Sequence, residues 1–194
     1  MHIQRAAKQD ATDLAQLLNL AGERMPAYLW RAMAAPGQNP MEVGAMRAAR
    51  EEGGFSYRNA RVCVSQASVQ GMIVSYPQPD AFTTEGLDNY PDIVRPLVRL
   101  EAEAPGSWYI NAVATFEQYR GLGIAQMLMR EAETKAGSVG VSEMSLIVAS
   151  ENRRAKDLYE HLGYVEIAAL PVVLYPGCMH GGDWLLMTKQ LTRG

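Results

Sequence analysis

Cysteine is scarce in this 194-residue chain, and neither sign of charge is in marked excess. Two cysteines, Cys63 and Cys178, are too few for a disulfide framework, so the composition favours a reducing compartment such as the cytoplasm. The 18 basic and 21 acidic residues give a net charge of −3, so the chain lacks the excess positive charge with which proteins bind nucleic acid or an anionic membrane surface. We therefore predict a cytoplasmic protein with no nucleic-acid partner.

Long apolar runs are also missing from the sequence. None reaches the length of a membrane span, and the first residues lack the apolar core of a signal peptide. The sequence has no internal repeat and no low-complexity tract. With 48% hydrophobic and 20% charged residues, the composition is that of an ordinary globular chain. These features predict one domain over residues 1–194 and no membrane partner.

Hydrophobic periodicity predicts a chain of mixed strands and helices. The predicted strands are residues 2–6, 61–66, 70–76, 107–115, 144–148, 165–168 and 184–188. The predicted helices run from a cap at Asp10 or Thr12 to Gly22, over residues 25–33, 40–50, 93–100 and 124–135, and from a cap at Ser150 or Asn152 to Gly163. Tyr28, Trp30 and Cys63 are assigned to the core in preference to functional roles. Gly71 is assigned to ordinary packing in preference to a bulge or a close backbone approach, and Glu133 to the wet face of its helix.

A strand, a glycine turn and a helix follow one another in the middle of the chain. Residues 107–115 are mostly apolar or β-branched and lack proline and charge, which is typical of a buried strand. Gly121 and Gly123 come next, directly before the helical pattern. This order presents backbone N–H groups at the positive end of a helix dipole, which is an arrangement that binds phosphate groups.

Spacing separates the kinds of phosphate-binding turn. A P-loop needs a lysine and a hydroxyl where this chain has Ile124 and Ala125, so that class is excluded. A dinucleotide fingerprint needs a third glycine where Gln126 stands, and an acid at the end of the following strand. Glu143 precedes the next apolar run instead of following it. A dinucleotide oxidoreductase is therefore a poor fit.

A third class fits two segments of the chain. The first segment, which follows a strand, is Gln118-x-x-Gly121-x-Gly123-Ile124-Ala125, and it resembles the acyl-CoA-binding motif of the GNAT-type N-acetyltransferases. The second resembles that family's next helix and reads Asn152-x-x-Ala155-x-x-Leu158-Tyr159-x-x-x-Gly163-Tyr164. The two segments occur in the family's order, separated by one helix and one strand. The resemblance extends over residues 61–191.

The resemblance implies an α/β fold with a central mixed, mostly antiparallel sheet and helices on both faces. The strands that contain Val113 and Ile147 would be the parallel pair that spreads to admit the carrier. The carrier's pantetheine arm would pair with the backbone of β-strand residues, and its diphosphate would meet the amides of the glycine turn. The implied cofactor-binding residues are Val113, Thr115, Gln118, Arg120, Gly121, Leu122, Gly123, Ile124, Ala125 and Asn152. For Asn152, a helix cap is an equally good interpretation.

The resemblance also implies a reaction. An acetyl group would pass from acetyl-CoA directly to a primary amine, with no metal and no covalent enzyme intermediate. Tyr159 matches the family's usual general acid, which protonates the departing thiolate, although a core tyrosine is the simpler interpretation. The acceptor is a small-molecule or peptide amine that the residues do not identify. A noncatalytic acyl-CoA-binding sensor is the alternative, and a homodimer is common in the family.

The general base is left open by the sequence. Residues 108–116 contain no carboxylate, although many family members carry one on this strand. The candidates are Glu101, Glu103, Glu117, His180, or an ordered water held by Asn111 and backbone carbonyls.

The segment before the glycine-turn strand is acidic. From Asp80 to Glu103 it has six acids against Arg95 and Arg99, which indicates either a solvated face or a rim that attracts a cationic amine. Tyr175 and His180, in the last long loop, are further candidates for acceptor contact.

Overall fold

The computed structural model of the chain describes residues 1–192. The strands are β1 (His2–Arg5), β2 (Ala60–Ser65), β3 (Ser68–Pro77), β4 (Trp108–Thr115), β5 (Glu143–Ala149), β6 (Val165–Pro171) and β7 (Asp183–Gln190). The helices are α1 (Ala11–Ala21), α2 (Met25–Met33), α3 (Pro40–Ala48), α4 (Arg95–Glu101), α5 (Ile124–Ser138) and α6 (Arg153–His161). Within residues 1–192, no helix is both long and apolar enough to cross a membrane.

The strands form one seven-stranded sheet in the order β1-β2-β3-β4-β5-β7-β6. The pairs β1–β2, β2–β3, β5–β7 and β6–β7 are antiparallel, whereas β4 and β5 run parallel. The predicted α/β fold with a mixed, mostly antiparallel sheet is therefore confirmed. Residue contacts divide the chain into two compact units. One unit contains Met1–Tyr76 and Asn111–Ala132, and the other contains Pro77–Ile110 and the chain from Glu133 onward. One domain over residues 1–194 stays a prediction.

The core of the first unit lies where two helices cover strands β2 and β3. Leu14 and Leu17 of α1 are fully buried and stand one helical turn apart. Val62 and Val64 alternate along β2 toward the same cluster, as a period-two pattern requires. Their burial stabilises the packing of α1 on β2, and the same cluster includes Ala112 of β4, shortly before the glycine turn.

The helices of the first unit pack around Trp30, which shares a buried cluster with Ala15 of α1 and Val43 of α3. Trp30 of α2 is 3% exposed, and its ring stacks on Phe55 with centroids 5.9 Å apart. A Cβ at Gly44 of α3 would overlap the Trp30 ring, so glycine lets the two helices approach. The assignment of Trp30 to the core is confirmed.

Gly71 of β3 lies against the end of β4. A Cβ there would stand 2.8 Å from the carbonyl oxygen of Ala114 and 3.2 Å from Thr115 Oγ1. The register of β2 with β3 also skips Gln70 between the pairs of Cys63 and Val64, which marks a bulge next to this glycine. The assignment of Gly71 to ordinary packing is therefore wrong, since both a close approach and a bulge occur. Cys63 is fully buried, as predicted, and burial raises the pKa of its thiol.

In the second unit, strands β5 and β7 pair along their whole length, from Glu143 with Gln190 to Ala149 with Trp184. Helix α4 packs against β5, β6 and β7. The parallel pairing of β4 with β5 covers only Trp108–Ile110 and Met144–Leu146. Val113 and Ile147 belong to the predicted parallel pair of strands and lie beyond its paired positions.

Candidate active site

The glycine turn leads directly into helix α5. Arg120 is extended, and Gly121 and Gly123 have φ of +84° and +75°, in the left-handed region that glycine adopts without strain. The first hydrogen bond into the helix runs from the Met127 amide to the Gly123 carbonyl at 3.0 Å. The amides of the first turn, from Ile124 on, therefore have no partner within the helix.

The space around this turn is open. A Cβ at Gly121 or Gly123 would meet no atom within 4 Å, so neither glycine is required by packing. Ile124 is 2% exposed and holds the start of α5 in place, whereas the Leu122 side chain is 57% exposed. A fixed helix start with unpaired amides and no obstructing side chain fits a diphosphate group.

The residues predicted to flank the turn are contiguous with it in the first unit. The Phe116 amide donates to the Gln70 carbonyl at 3.0 Å, which ties the end of β4 to β3. Val113 is half-buried, and Thr115 Oγ1 is buried without a hydrogen-bond partner in the described part of the chain. Gln118 is exposed beside the turn.

Helix α6 of the second unit is capped at both ends by residues of the second family-like segment. The Asn152 side chain accepts a hydrogen bond from the Ala155 amide at 3.2 Å, so the capping interpretation is confirmed. Gly163 has φ of +90°, and the Tyr164 amide donates to the Tyr159 carbonyl at 2.9 Å. This bond closes the helix in the manner of a Schellman motif.

Tyr159 lies near the end of α6 and is 8% exposed. Its ring centroid is 6.2 Å from that of Tyr164, with the ring planes at 60°. This tilted contact restricts the orientation of the Tyr159 ring. Burial accords with a packed tyrosine, and its hydroxyl chemistry stays a prediction.

A half-buried ion pair lies beside Tyr164. Lys189 Nζ lies 2.8 Å from Glu133 Oε1, and the two side chains are 22% and 15% exposed. The Tyr164 hydroxyl donates to the same oxygen at 3.3 Å. Burial and the Glu133 carboxylate raise the pKa of Tyr164, which keeps its hydroxyl protonated. The assignment of Glu133 to the wet face of α5 is therefore wrong.

Neutralising Glu133 should be costly for stability. Glu133→Gln leaves the half-buried Lys189 without its counter-charge, and we expect the free energy of unfolding to fall by about 2 kcal/mol. Chemical denaturation measures this loss. The matched control is Glu160→Gln on α6. Glu160 pairs with Lys156 and is exposed, and Lys156 keeps a second partner, Glu166, at 3.3 Å when the Glu160 charge is removed. A control change as large as the Glu133→Gln change would contradict the assignment.

Among the candidate bases, Glu101 has the most distinctive surroundings. It is the last residue of α4, is half-buried, and accepts a hydrogen bond from the Tyr109 hydroxyl. Burial raises the pKa of Glu101 to about 7, although the Tyr109 hydrogen bond opposes that shift.

The other candidate bases differ from Glu101. Glu103, Glu117 and Asn111 are exposed. His180 Nδ1 lies 3.7 Å from Glu151 Oε2 in the loop before β7.

The raised pKa of Glu101 makes stability depend on pH. A carboxyl group whose pKa is higher in the folded than in the unfolded state costs stability once pH exceeds its unfolded value, and the cost is complete above the folded value. Glu101→Gln should therefore leave stability unchanged near pH 4 and increase it by on the order of 1–2 kcal/mol at pH 8. Thermal unfolding at the two pH values measures the difference. Equal effects at both values would refute the assignment.

The acidic segment before β4 is only partly neutralised. Arg95 Nη1 lies 3.0 Å from Asp92 and 3.9 Å from Asp88, so these two acids have a local cation. Asp80, Glu85 and Glu103 are exposed. Within residues 1–192, no cluster of three or more His, Cys, Asp or Glu side chains is placed to hold a metal ion.

The loop between β6 and β7 holds the remaining candidates for acceptor contact. Tyr175 is buried, at 7% exposure, and His180 is half-buried. Acceptor contact by either residue stays a prediction.

Comparison with known proteins agrees with these features. The model of the acetyltransferase (GNAT) family matches residues 29–164, which is more than half of the chain. The uncharacterized N-acetyltransferase YycN of Bacillus subtilis strain 168 is 35% identical over 58 residues, covering 30% of this chain and 37% of that relative. The chain thus spans well under half of the length of this relative.

Solved structures share the fold. Polyamine N-acetyltransferase of Drosophila melanogaster has a TM-score of 0.70 at 14% identity, with 98% of this chain and 99% of that chain covered. Ribosomal-protein-alanine N-acetyltransferase of Brucella melitensis has a TM-score of 0.63 at 20% identity, with 98% and 100% covered. At these identities the likeness concerns the fold alone. Together with the family match over residues 29–164, the glycine turn and the capped helix α6 show that the chain belongs to the GNAT acetyltransferase family.

Proposed function

We propose that this protein transfers an acetyl group from acetyl-CoA directly to a primary amine. The observation that carries the proposal is the open glycine turn at the start of α5, where two glycines with positive φ leave the helix amides unobstructed. Such a turn suits the diphosphate of coenzyme A, and the family match supplies the class of reaction.

The proposal assigns a role to each predicted site residue. The amides of residues 120–125 and the Gln118 side chain bind the diphosphate, and the backbone of Val113 and Thr115 pairs with the pantetheine arm. Tyr159 donates a proton to the departing thiolate, because a phenol hydroxyl can act as a proton donor. Asn152 adds a carrier contact to its capping role.

A small cationic amine is the acceptor that the charges favour. The segment from Asp80 to Glu103 has a local charge of −4, and only Asp88 and Asp92 are paired with Arg95. A negative surface raises the local concentration of a cation. The polyamine N-acetyltransferase among the structural neighbours acts on acceptors of this charge class, whereas the ribosomal-protein-alanine enzyme suggests a protein terminus as the second candidate.

Release of free thiol from acetyl-CoA tests the proposal. The panel contains agmatine, spermidine, an uncharged-tail primary amine of similar length, and a peptide with an N-terminal alanine. We expect turnover that is highest with the two cationic amines and that falls with rising salt. If turnover were highest with the peptide, the acceptor would be a protein terminus and not a small cationic amine. Tight coenzyme A binding without turnover of any amine would favour the noncatalytic sensor.

A further inference from the structure

We propose that Glu101 is the general base, the group that takes the proton from the acceptor ammonium, because α4 holds its carboxylate against β4 just before the parallel pairing of β4 with β5 ends. The inference rests on the proposed function and supplies the residue that the strand itself lacks, since residues 108–116 contain no carboxylate.

The register of the second unit places the carboxylate. Tyr109, whose hydroxyl donates to Glu101, pairs with Ser145 of β5. The next pair, Ile110 with Leu146, is the last of the parallel register. Glu101 therefore lies at the level where β4 leaves β5, on the same sheet face as Tyr109.

The hydrogen bond from Tyr109 orders the Glu101 carboxylate and leaves it able to accept a second hydrogen bond. The Tyr109 side chain is 4% exposed, so its hydroxyl holds the carboxylate from a buried and ordered site. The carboxylate keeps a lone pair for a second donor, because one hydroxyl occupies only one of its acceptor positions. An ammonium group is a suitable second donor.

The charged side chains of the elements around α4 are engaged elsewhere. Glu143 of β5 accepts from Gln190, Glu166 of β6 pairs with Lys156, and Lys189 of β7 pairs with Glu133. On the preceding turn and α4 itself, Asp88 and Asp92 pair with Arg95, while Arg99 is exposed. Asp183 stands at the far end of β7, beside Trp184. Tyr109 is therefore the polar group that acts directly on Glu101.

The raised pKa of Glu101 suits a group that accepts a proton from the acceptor ammonium. A base works best when its pKa lies near the working pH, and burial brings the pKa of Glu101 to about 7. The exposed side chains of Glu103 and Glu117 lack this burial.

The proton inventory of the proposed step balances. Glu101 takes one proton from the ammonium, and the resulting amine attacks the thioester carbonyl to form the C–N bond. Collapse of the tetrahedral adduct breaks the C–S bond, and the thiolate receives the Tyr159 proton. The adduct nitrogen then loses its second proton, which restores Tyr159. The proton on Glu101 passes to solvent, so each turnover yields one amide, one free thiol and one released proton.

Glu101→Gln tests the role, with Glu42→Gln, which changes an exposed carboxylate on α3, as the control. With agmatine, or the best acceptor of the panel, we expect kcat of Glu101→Gln to fall roughly 100-fold or more at pH 7. The loss should shrink toward pH 10, where a large share of the reacting primary amine is already neutral. The control should keep the wild-type kcat and pH profile. A structural role for Glu101 would give a loss that does not depend on pH.

Tyr109→Phe provides a second readout that does not depend on the folding of Glu101→Gln. The Tyr109 hydrogen bond lowers the pKa of Glu101, so its removal should move the acid limb of the kcat profile to higher pH. An unmoved acid limb, or a wild-type kcat in Glu101→Gln, would overturn the inference while the proposed function stands. Absence of thiol release by the wild-type protein with every amine would instead overturn the proposed function.

Discussion

Replacing Gly123 with alanine is expected to weaken coenzyme A binding by roughly tenfold or more, as one or two hydrogen bonds to a charged group are lost. Gly123 has φ of +75°, and its Cβ position is open space in the protein. An added methyl therefore contacts no protein atom, but it occupies the approach to the amides of the helix start. Isothermal titration calorimetry with coenzyme A measures the loss.

Gly140→Ala is the matched control for the conformational cost. Gly140 follows α5, has φ of +83°, and its Cβ position is equally open. Both substitutions should lower the free energy of unfolding by about 1 kcal/mol, because alanine is strained at positive φ. Only Gly123→Ala should lower affinity. If the two variants bound coenzyme A equally well, the diphosphate would not bind at this turn, and the proposed function would lose its main support.

The parts of the fold that local signals determine were predictable from sequence. Helix α2 was predicted at residues 25–33 and is Met25–Met33, because proline in the first turn and an apolar periodicity define it. The turn between β2 and β3 falls at Gln66 and Ala67, one residue before the turn predicted near Ala67 and Ser68 between two β-rich runs. Such elements depend on near neighbours along the chain.

Features that depend on distant partners were missed. Glu133 and Lys189 are 56 residues apart, and helical periodicity alone assigned Glu133 to water. The crowding at Gly71 arises from the carbonyl of Ala114, which a one-strand pattern does not reveal. Long-range contacts of this kind are fixed by the sheet order, and the sequence pattern does not specify which strand lies beside which.

The candidate site divides in the same way. The glycine turn is a local structure, so its position followed from the spacing of Gly121 and Gly123, and the structure adds their positive φ angles. In the second segment, Asn152 and Gly163 serve as helix caps, which explains part of the family-like pattern by helix geometry alone. The sequence listed Glu101 as one of several candidates for the general base and could not choose among them. Its hydrogen bond with Tyr109 depends on how α4 packs, which the sequence pattern does not reveal.

Tyr159→Phe should lower kcat by roughly 100-fold or more while coenzyme A affinity stays within about twofold, because the hydroxyl acts on the leaving thiolate and not on the bound carrier. The phenylalanine ring keeps the tilted contact with Tyr164 at 6.2 Å, so packing is preserved. Steady-state thiol release and calorimetry with coenzyme A measure the two quantities. Loss of affinity in parallel with kcat would assign Tyr159 to carrier binding.

The chemical role of the Tyr159 hydroxyl is separable from its place in the core. Tyr164→Phe removes the neighbouring hydroxyl, which donates to Glu133, and should cost stability while kcat stays within about threefold of wild type. An acetyl thioester of an acidic thiol, such as 4-nitrothiophenyl acetate, releases a thiolate that needs no proton. With that donor the ratio of wild-type to Tyr159→Phe rates should fall toward one, because general-acid catalysis has least effect on a good leaving group. An unchanged ratio would mean that the hydroxyl positions the reactants and donates no proton.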